Sequence, residues 1–457
     1  MSEALVITGL HDVRCDRRGS EMLARMSERA SAQLRVLAHS RAEEVAFTRF
    51  LANRHFGAAE LRASLTAATA AVCAGRAHVL VLQDTTEINF QHHAGRVRGL
   101  GPVGNGRDAG LFVHALLALD AADRSCLGLL DAQPWIRTPR RDDYRKRPIE
   151  QKESYRWLAG TALAGALAAQ LITVIADRES DCFALFARRP HERLHLLIRA
   201  SRDRCVTGGP CLFTALAALP ESFCTTVAVP ARPGMAARTA QLVVRFGALE
   251  LQRPRGSREP VESVPVWGVE VVEIGATVAD KQRIRWRLLT THEVRDAAMA
   301  AQVIAWYGQR WQIEQLFRTV KGQGLDLEAS QSEDAHALQK LAVMATHAAT
   351  RILQLVQARD GAAALVAGEV FAPEELTVLR ALLPGCEGQT ARQQNPHPPD
   401  SLAWCAWIVA RLGGWKGYRH SEGPPGPLTM RRGYERFCAI RDGYILATTA
   451  HQNVCKP

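Results

Sequence analysis

The spacing of apolar positions changes several times along the chain, and each change predicts a new kind of element. Over residues 1 to about 68, Leu23, Met26, Ala30 and Leu34 recur at helical spacing. Val79-Leu80-Val81-Leu82 is a short apolar, β-branched run; it predicts a buried strand ending in Gln83-Asp84-Thr85-Thr86. A glycine-rich turn region spans Gly99 to Gly110, and the runs at 111–119 and 126–130 predict two neighbouring strands. A basic stretch, Arg137 to Lys152, leads into a helix at about 153–170. Residues 171–176 then predict a strand stopping at Asp177, followed by another helix and a strand at 194–199. This order calls for a mixed sheet with helices on its faces. Between 203 and about 290, Val, Thr, Arg and Pro alternate between turn residues, as at 242–246, 264–272 and 284–289, which predicts a β-rich insertion. A long helix from about Val294 to Lys321 follows, and helical pattern continues to about 382. Residues 384–400, with Pro384, Gly385 and Gly388, read as a linker or mobile loop, and a last helical segment starts near Ser401. The chain thus divides into a helical segment 1–68, an α/β segment 69–375 and a helical segment 376–457.

At 457 residues, the chain is too long for one core. Its 47% hydrophobic and 23% charged residues are ordinary for a globular protein. The net charge of +11 and a pI near 9.3 change the picture. They suit a polyanionic partner, nucleic acid first and an anionic membrane surface second, although a basic housekeeping enzyme has the same balance. Residues 1–68 hold ten Arg against eight acidic residues, so this segment is either a small DNA-contacting unit or an ordinary helical lobe. The opening Met-Ser-Glu-Ala lacks the basic and apolar regions of a signal peptide, and no run reaches membrane-span length. Eleven cysteines form no C-x-x-C pair, and H-E-x-x-H is absent. Reduced thiols in a cytosol are therefore expected, with neither a zinc site nor a disulfide framework.

Asp84 and Asp177 each follow an apolar strand. An acidic residue there is usually a turn former. Tyr307, Arg310, Glu314 and Lys321 add a second pattern, since on one helix they fall within an arc of roughly 60°. Ile313, Leu316, Phe317 and Val320 form an adjacent apolar stripe. A solvated face laced with ion pairs shows the same spacing, but leaves Tyr307, Trp306 and Trp311 unexplained. Three carboxylates can hold two divalent ions about 4 Å apart for phosphoryl transfer on DNA. Mg²⁺ suits such hard oxygen donors, and Arg310 and Lys321 suit DNA phosphates. Gly99-Leu100-Gly101-Pro102-Val103-Gly104 spells G-x-G-x-x-G, but Pro102 and Asn105-Gly106 oppose a following helix, so it reads as a loop. His92, His93 and His114 are not at a metal-ligand spacing. Glu179 and Asp181 could compete with Asp177 as ligands; Glu179 is expected to orient Arg178 or cap the next helix.

The spacing Tyr307-x2-Arg310-x3-Glu314-x6-Lys321 resembles the signature of one branch of bacterial DDE transposases, the insertion-sequence-four branch, to which the transposon five transposase belongs. Gln83-Asp84-Thr85-Thr86 is similar to the segment carrying that family's first Asp, and Ala176-Asp177-Arg178-Glu179-Ser180-Asp181 to the segment carrying the second. Lys152-Glu153-Ser154 with Trp157 resembles a block between them. Ser401-Leu402-Ala403-Trp404, residues 413–418 and Arg431-Arg432-Gly433 resemble C-terminal blocks. The gaps of 93 and 137 residues from Asp84 to Asp177 and from Asp177 to Glu314 agree with the branch.

The resemblance implies a ribonuclease-H-like mixed sheet with a β-rich insertion before the Glu helix. It also implies an N-terminal DNA-binding domain at 1–68 and a C-terminal dimerisation domain at 376–457. Asp84, Asp177 and Glu314 would hold two Mg²⁺ ions, with Mn²⁺ substituting. The implied chemistry is cut-and-paste transposition in the bacterial cytoplasm, at the nucleoid: nicking, hairpin formation and opening, then strand transfer to target DNA within a homodimer. Trp286 matches the tryptophan that stacks on a flipped base, although a core strand Trp looks the same. Arg199 matches a phosphate-contacting Arg; Arg202 and Arg204 assist it or are solvated surface. Arg14, Arg17 and Arg18 resemble an arginine cluster of the DNA-binding domain. Residues 47–53 resemble its second block, where the usual Asn-Pro is replaced by Asn53-Arg54. Two other readings share these residues: a stand-alone metal-dependent nuclease and a decayed DNA-binding inhibitor.

Overall fold

The computed structural model describes residues 6–93, 95, 97–138, 147–229, 237–275, 283–322, 324–361, 366–418 and 422–454. The opening Met-Ser-Glu-Ala, the middle of the basic stretch at 137–152 and Cys455 lie outside the described residues. The strands are β1 (His78–Asn89), β2 (Gly101–Val103), β3 (Asp108–Asp120), β4 (Cys126–Trp135), β5 (Leu171–Ala176), β6 (Leu194–Arg199), β7 (Glu221–Val229), β8 (Arg238–Gln252), β9 (Ser263–Ile274) and β10 (Arg285–Thr290). The first helices are α1 (Val13–Arg29), α2 (Leu34–Leu37), α3 (Arg41–Ala52), α4 (Ala58–Cys73), α5 (Tyr155–Gly165), α6 (Phe183–Ala187) and α7 (Leu212–Ala218). They are followed by α8 (Ala297–Gly308), α9 (Trp311–Val320), α10 (Ala335–Ala358), α11 (Pro373–Cys386), α12 (Leu402–Leu412) and α13 (Pro427–Val454). The chain divides into two compact units, one of 1–73, 85–141 and 312–457, the other of 74–84 and 142–311.

The first unit is mainly helical. Asp12 starts α1 by accepting the Cys15 amide hydrogen at 2.8 Å, and Ala30 ends it in the left-handed region at φ 43°. Met22, Leu23 and Met26 face the interior. Lys340 on α10 is buried, yet donates to the carbonyls of Phe50 (3.3 Å) and Asn53 (2.7 Å) and lies 4.2 Å over the Phe56 ring. A cation at the end of α3 meets the negative end of the helix dipole, while burial pushes the ammonium down to about 8. β3 and β4 form an antiparallel pair, and Gln354 of α10 donates to the Cys126 carbonyl at 3.1 Å. α11, α12 and α13 pack around Phe371, Trp404, Trp407, Tyr434 and Phe437.

The second unit is built on strands. Residues 78–83 of β1 pair in parallel with β5, and β5 pairs in parallel with β6. β10 pairs antiparallel with β6, and β9, β8 and β7 continue as an antiparallel meander. The parallel strands are buried almost throughout, which is why they read as unbroken apolar runs.

The structure corrects several boundaries. β1 does not end at Asp84 but runs on to Asn89, with Thr86 and Ile88 buried and Thr85, Glu87 and Asn89 half-buried. The helix expected at about 153–170 is confined to α5. The single helix expected from about 294 to 321 is two helices, α8 and α9, divided by a turn at Gln309 and Arg310. Gly308 weakens the helix there, and the Gln309 side chain donates to the Ala305 carbonyl at 3.1 Å. Among the described residues, no helix is long and apolar enough to cross a membrane.

Two buried histidines make stability depend on pH. In the second unit, His292 Nε2 lies 2.7 Å from Thr173 Oγ1 and its ring stacks on His195 at 3.8 Å. Burial, aided by the neighbouring imidazoles, pushes His292 down to about 2. In the first unit, neither ring nitrogen of His347 on α10 has a hydrogen-bond partner among the described residues, and burial pushes it down to about 3. The unfolded chain takes up a proton near pH 6.5 at each site and the folded chain does not. Stability is therefore complete above that pH and falls as the pH drops, by about 1.4 kcal/mol per unit per histidine. Urea denaturation between pH 7 and 4 should show this fall, and His347→Leu should lower its slope by about 1.4 kcal/mol per pH unit. An unchanged slope in that variant would place the acid sensitivity elsewhere.

Candidate active site

The register of three parallel strands builds the site. Gln83 is level with Ala176, and Ala176 with Ile198. Asp84, Asp177 and Arg199 each come one residue after this last paired row, in strands spaced about 4.8 Å apart. Level residues on neighbouring strands project from the same face. The carboxyl ends of parallel strands are where open α/β sheets receive ligands.

Asp177 has two roles. Its carboxylate accepts the Arg178 amide hydrogen at 2.6 Å and opens the turn Arg178–Ser180, whose Ser180 hydroxyl donates back to the Asp177 carbonyl at 2.6 Å. It is also half-exposed, with 27% of its side chain accessible. Asp84 accepts from the Arg310 guanidinium at 3.2 Å. Two carboxylates on adjacent strands repel, and Arg310 supplies a compensating charge.

Tyr307 and Trp286 complete this group. Tyr307 is buried on the last turn of α8, with its ring edge-on to Trp286 at 5.4 Å. Trp286 lies on β10 and is half-buried. Burial, then the charge of Asp177, pushes the Tyr307 phenol above its usual value, while Arg310 and Arg199 act in the opposite direction. Arg199 itself donates to the Arg285 carbonyl at 3.1 Å. Among the described residues, the buried Tyr307 hydroxyl makes no hydrogen bond of normal geometry, although Arg199 stands close. Removing a buried, unsatisfied hydroxyl relieves a desolvation cost of about 1–3 kcal/mol. Tyr307→Phe is therefore expected to keep or raise stability in urea denaturation, and a loss above about 1 kcal/mol would show that the hydroxyl is bonded.

The other expected residues lie in the first unit. Glu314 is half-buried in the first turn of α9, and Lys321 follows the end of that helix with its amide donating to the Phe317 carbonyl at 3.1 Å. The break at 309–310 means that Tyr307, Arg310, Glu314 and Lys321 do not share one continuous helix face. On α1, Arg14 is exposed and 3.7 Å from Asp12, and Arg17 is exposed and 3.9 Å from Glu21. Arg18 is also paired with Glu21, at 3.7 Å, and leans over the Phe47 ring.

Among the described residues, no group of three His, Cys, Asp or Glu side chains forms a metal-holding cluster. Asp84 and Asp177, which follow the last paired row of adjacent strands, offer hard oxygen donors, which fit a divalent cation. Asp181 does not compete with them. It is buried, accepts the amide hydrogens of Ser201 (2.7 Å) and Arg202 (3.0 Å) and pairs with buried Arg204. Arg204 is thus a tie between the segments after β5 and β6 rather than solvated surface. Glu179 is exposed and pairs with Arg156 at 3.3 Å, instead of orienting Arg178.

A family model described as "Transposase DDE domain" matches residues 236–351, about a quarter of the chain. That stretch carries Trp286, Tyr307, Arg310, Glu314 and Lys321 and leaves out Asp84 and Asp177. The match supports a DDE-type transposase, and with it an enzyme of the polynucleotidyl transferase type. Among solved structures, the chain is similar to a piggyBac transposase synaptic complex with hairpin DNA, at 9% identity over 84% of this chain and 80% of that chain, with a TM-score of 0.36. A likeness at that level bears on neither fold nor function.

Proposed function

We propose that this chain is a DDE transposase that cuts and rejoins DNA at the ends of an insertion sequence. The observation carrying the reading is the parallel register of β1 and β5, level at Gln83 and Ala176, so that Asp84 and Asp177 both follow directly on the last paired row. The family match over the segment containing Glu314 supports it independently.

DDE transposases use divalent metals, and Asp84, Asp177 and Glu314 would hold two Mg²⁺ ions, with Mn²⁺ able to substitute. When bound, such ions supply activation of the attacking water or 3′-hydroxyl and charge stabilisation at the leaving oxygen. Arg310 balances the charge of Asp84, and a cation held by that carboxylate would weaken this contact. Freed, the Arg310 guanidinium is available to a DNA phosphate, beside Arg199 and with Lys321. Trp286 offers an indole face to an unstacked base, at about 1–3 kcal/mol per base. Tyr307 meets Trp286 edge-on and brings to the same group a buried hydroxyl that makes no hydrogen bond of normal geometry among the described residues.

The finer reading is a member of the insertion-sequence-four branch with a ribonuclease-H-like core. It works as a homodimer on double-stranded DNA through nicking, hairpin formation and opening, and strand transfer. Residues 1–68, with Arg14, Arg17 and Arg18, bind the element end, and 376–457 dimerise. Incubation with Mg²⁺ and DNA carrying the element's own ends tests this reading. Hairpin and strand-transfer products are expected. Plain cleavage would indicate a stand-alone nuclease, and a mobility shift without products a DNA-binding protein that has lost catalysis.

A further inference from the structure

The segment leaving β6 sets two cysteines opposite each other. Cys205 and Cys211 form an antiparallel bridge across a turn containing Gly208, Gly209 and Pro210, with Gly208 at φ 68°. The Leu212 amide donates to the Arg204 carbonyl at 2.8 Å. That bond flanks the cysteine pair instead of joining it, so the two are non-hydrogen-bonded partners, whose Cα atoms approach to about 4.5 Å. Disulfides accept Cα separations of about 4.4–6.8 Å. Both cysteines are exposed, and Cys205 is near enough to act on the Cys211 thiol. The turn is held from outside as well: the Gln252 amide donates to the Cys205 carbonyl at 3.1 Å, and the Thr207 amide to the Glu250 carbonyl at 2.9 Å. The backbone therefore already holds the two residues at a separation, about 4.5 Å, inside the range a disulfide accepts.

We propose that Cys205 and Cys211 are a reversible redox modification site, which takes a small-molecule disulfide of the glutathione type as its oxidant. The first thiolate attacks the oxidant, forms a mixed disulfide and releases one small thiol. The second thiolate attacks the protein sulfur of that mixed disulfide, forms the Cys205–Cys211 bond and releases the second small thiol. Two protein thiols are oxidised to one disulfide, and one small disulfide is reduced to two thiols. The Asp203 charge beside Cys211, more than burial or Cys205, holds that thiol above its usual value. This suits Cys205 as the first attacker and Cys211 as the resolving sulfur. In a reducing compartment the bond is transient, so it reports the thiol balance rather than stapling the fold.

The test equilibrates the full-length protein in glutathione buffers of rising oxidised fraction, followed by alkylation and digestion with trypsin. Trypsin does not cut the Arg232–Pro233 bond, so the peptide 205–238 contains Cys205, Cys211 and Cys224, and its fragmentation reads all three sites in one molecule. The expected result is loss of two hydrogens across Cys205 and Cys211, while exposed Cys224 carries only a glutathione adduct. Cys205→Ser should leave Cys211 with a stable adduct. The proposal is overturned if wild-type Cys205 and Cys211 carry stable glutathione adducts, or stay alkylatable, at the ratio that modifies Cys224. This outcome does not depend on transposase activity, so either proposal can fail without the other.

Discussion

Asp177→Ala is expected to lower DNA strand cleavage by about 10³-fold or more while leaving DNA binding near its original strength. A divalent ion contributes several kcal/mol of transition-state stabilisation, and each 1.36 kcal/mol is tenfold in rate. DNA binding rests on basic side chains instead, and these are untouched. Asp177 also caps the turn Arg178–Ser180, and loss of a capping side chain costs about 0.5–2 kcal/mol of stability. Asp177→Asn separates the two roles, since an amide oxygen can still accept the Arg178 amide hydrogen but is a poor ligand for a hard cation. The asparagine variant should be as inactive as the alanine variant and closer to the parent in stability. Cleavage at the parental rate by either variant would remove Asp177 from the mechanism.

Arg204→Met is expected to destabilise the second unit by about 3 kcal/mol. The substitution leaves the Asp181 carboxylate buried, with two backbone donors and no cation. Breaking one side of a buried pair costs about 3–5 kcal/mol. The lower end applies because two further guanidinium nitrogens of Arg204 are buried without partners among the described residues, a penalty that the substitution removes. Asp181→Asn combined with Arg204→Met should restore part of the loss, since the stranded charge is then gone. Chemical denaturation of the three proteins decides the matter, and a single-variant loss below about 1 kcal/mol would mean that Asp181 is already solvated or neutral.

Much of the strand framework was legible because buried parallel strands are continuous apolar runs. Val79–Leu82, Leu171–Ala176 and Leu194–Arg199 stand out for that reason, and the acidic residues after the first two were visible with them. The continuation of β1 was not. Thr85-Thr86-Glu87-Ile88-Asn89 has turn-like polarity, but Thr86 and Ile88 point inward at a period of two, and β-branched Thr suits a strand. The break between α8 and α9 was hidden for the opposite reason. The apolar stripe of α9 continues the helical period, and only Gly308 marks an interruption that local hydrogen bonds complete. Registers depend on pairing between distant segments, so the row Asp84, Asp177, Arg199 could be expected only through resemblance. Asp181 read as a competing ligand and Arg204 as an assisting or solvated arginine, because a buried ion pair has no signature in local sequence. The facing of Cys205 and Cys211 likewise needed the turn geometry.

The central claim is that Asp84 and Asp177 are joint ligands of a divalent cation. Anomalous diffraction from crystals of the protein–DNA complex grown with Mn²⁺ tests it most directly. The predicted result is a manganese peak about 2 Å from a carboxylate oxygen of both Asp84 and Asp177, with Glu314 as a further ligand and Arg310 withdrawn from Asp84. A peak elsewhere, or none while Arg310 remains on Asp84, would contradict it.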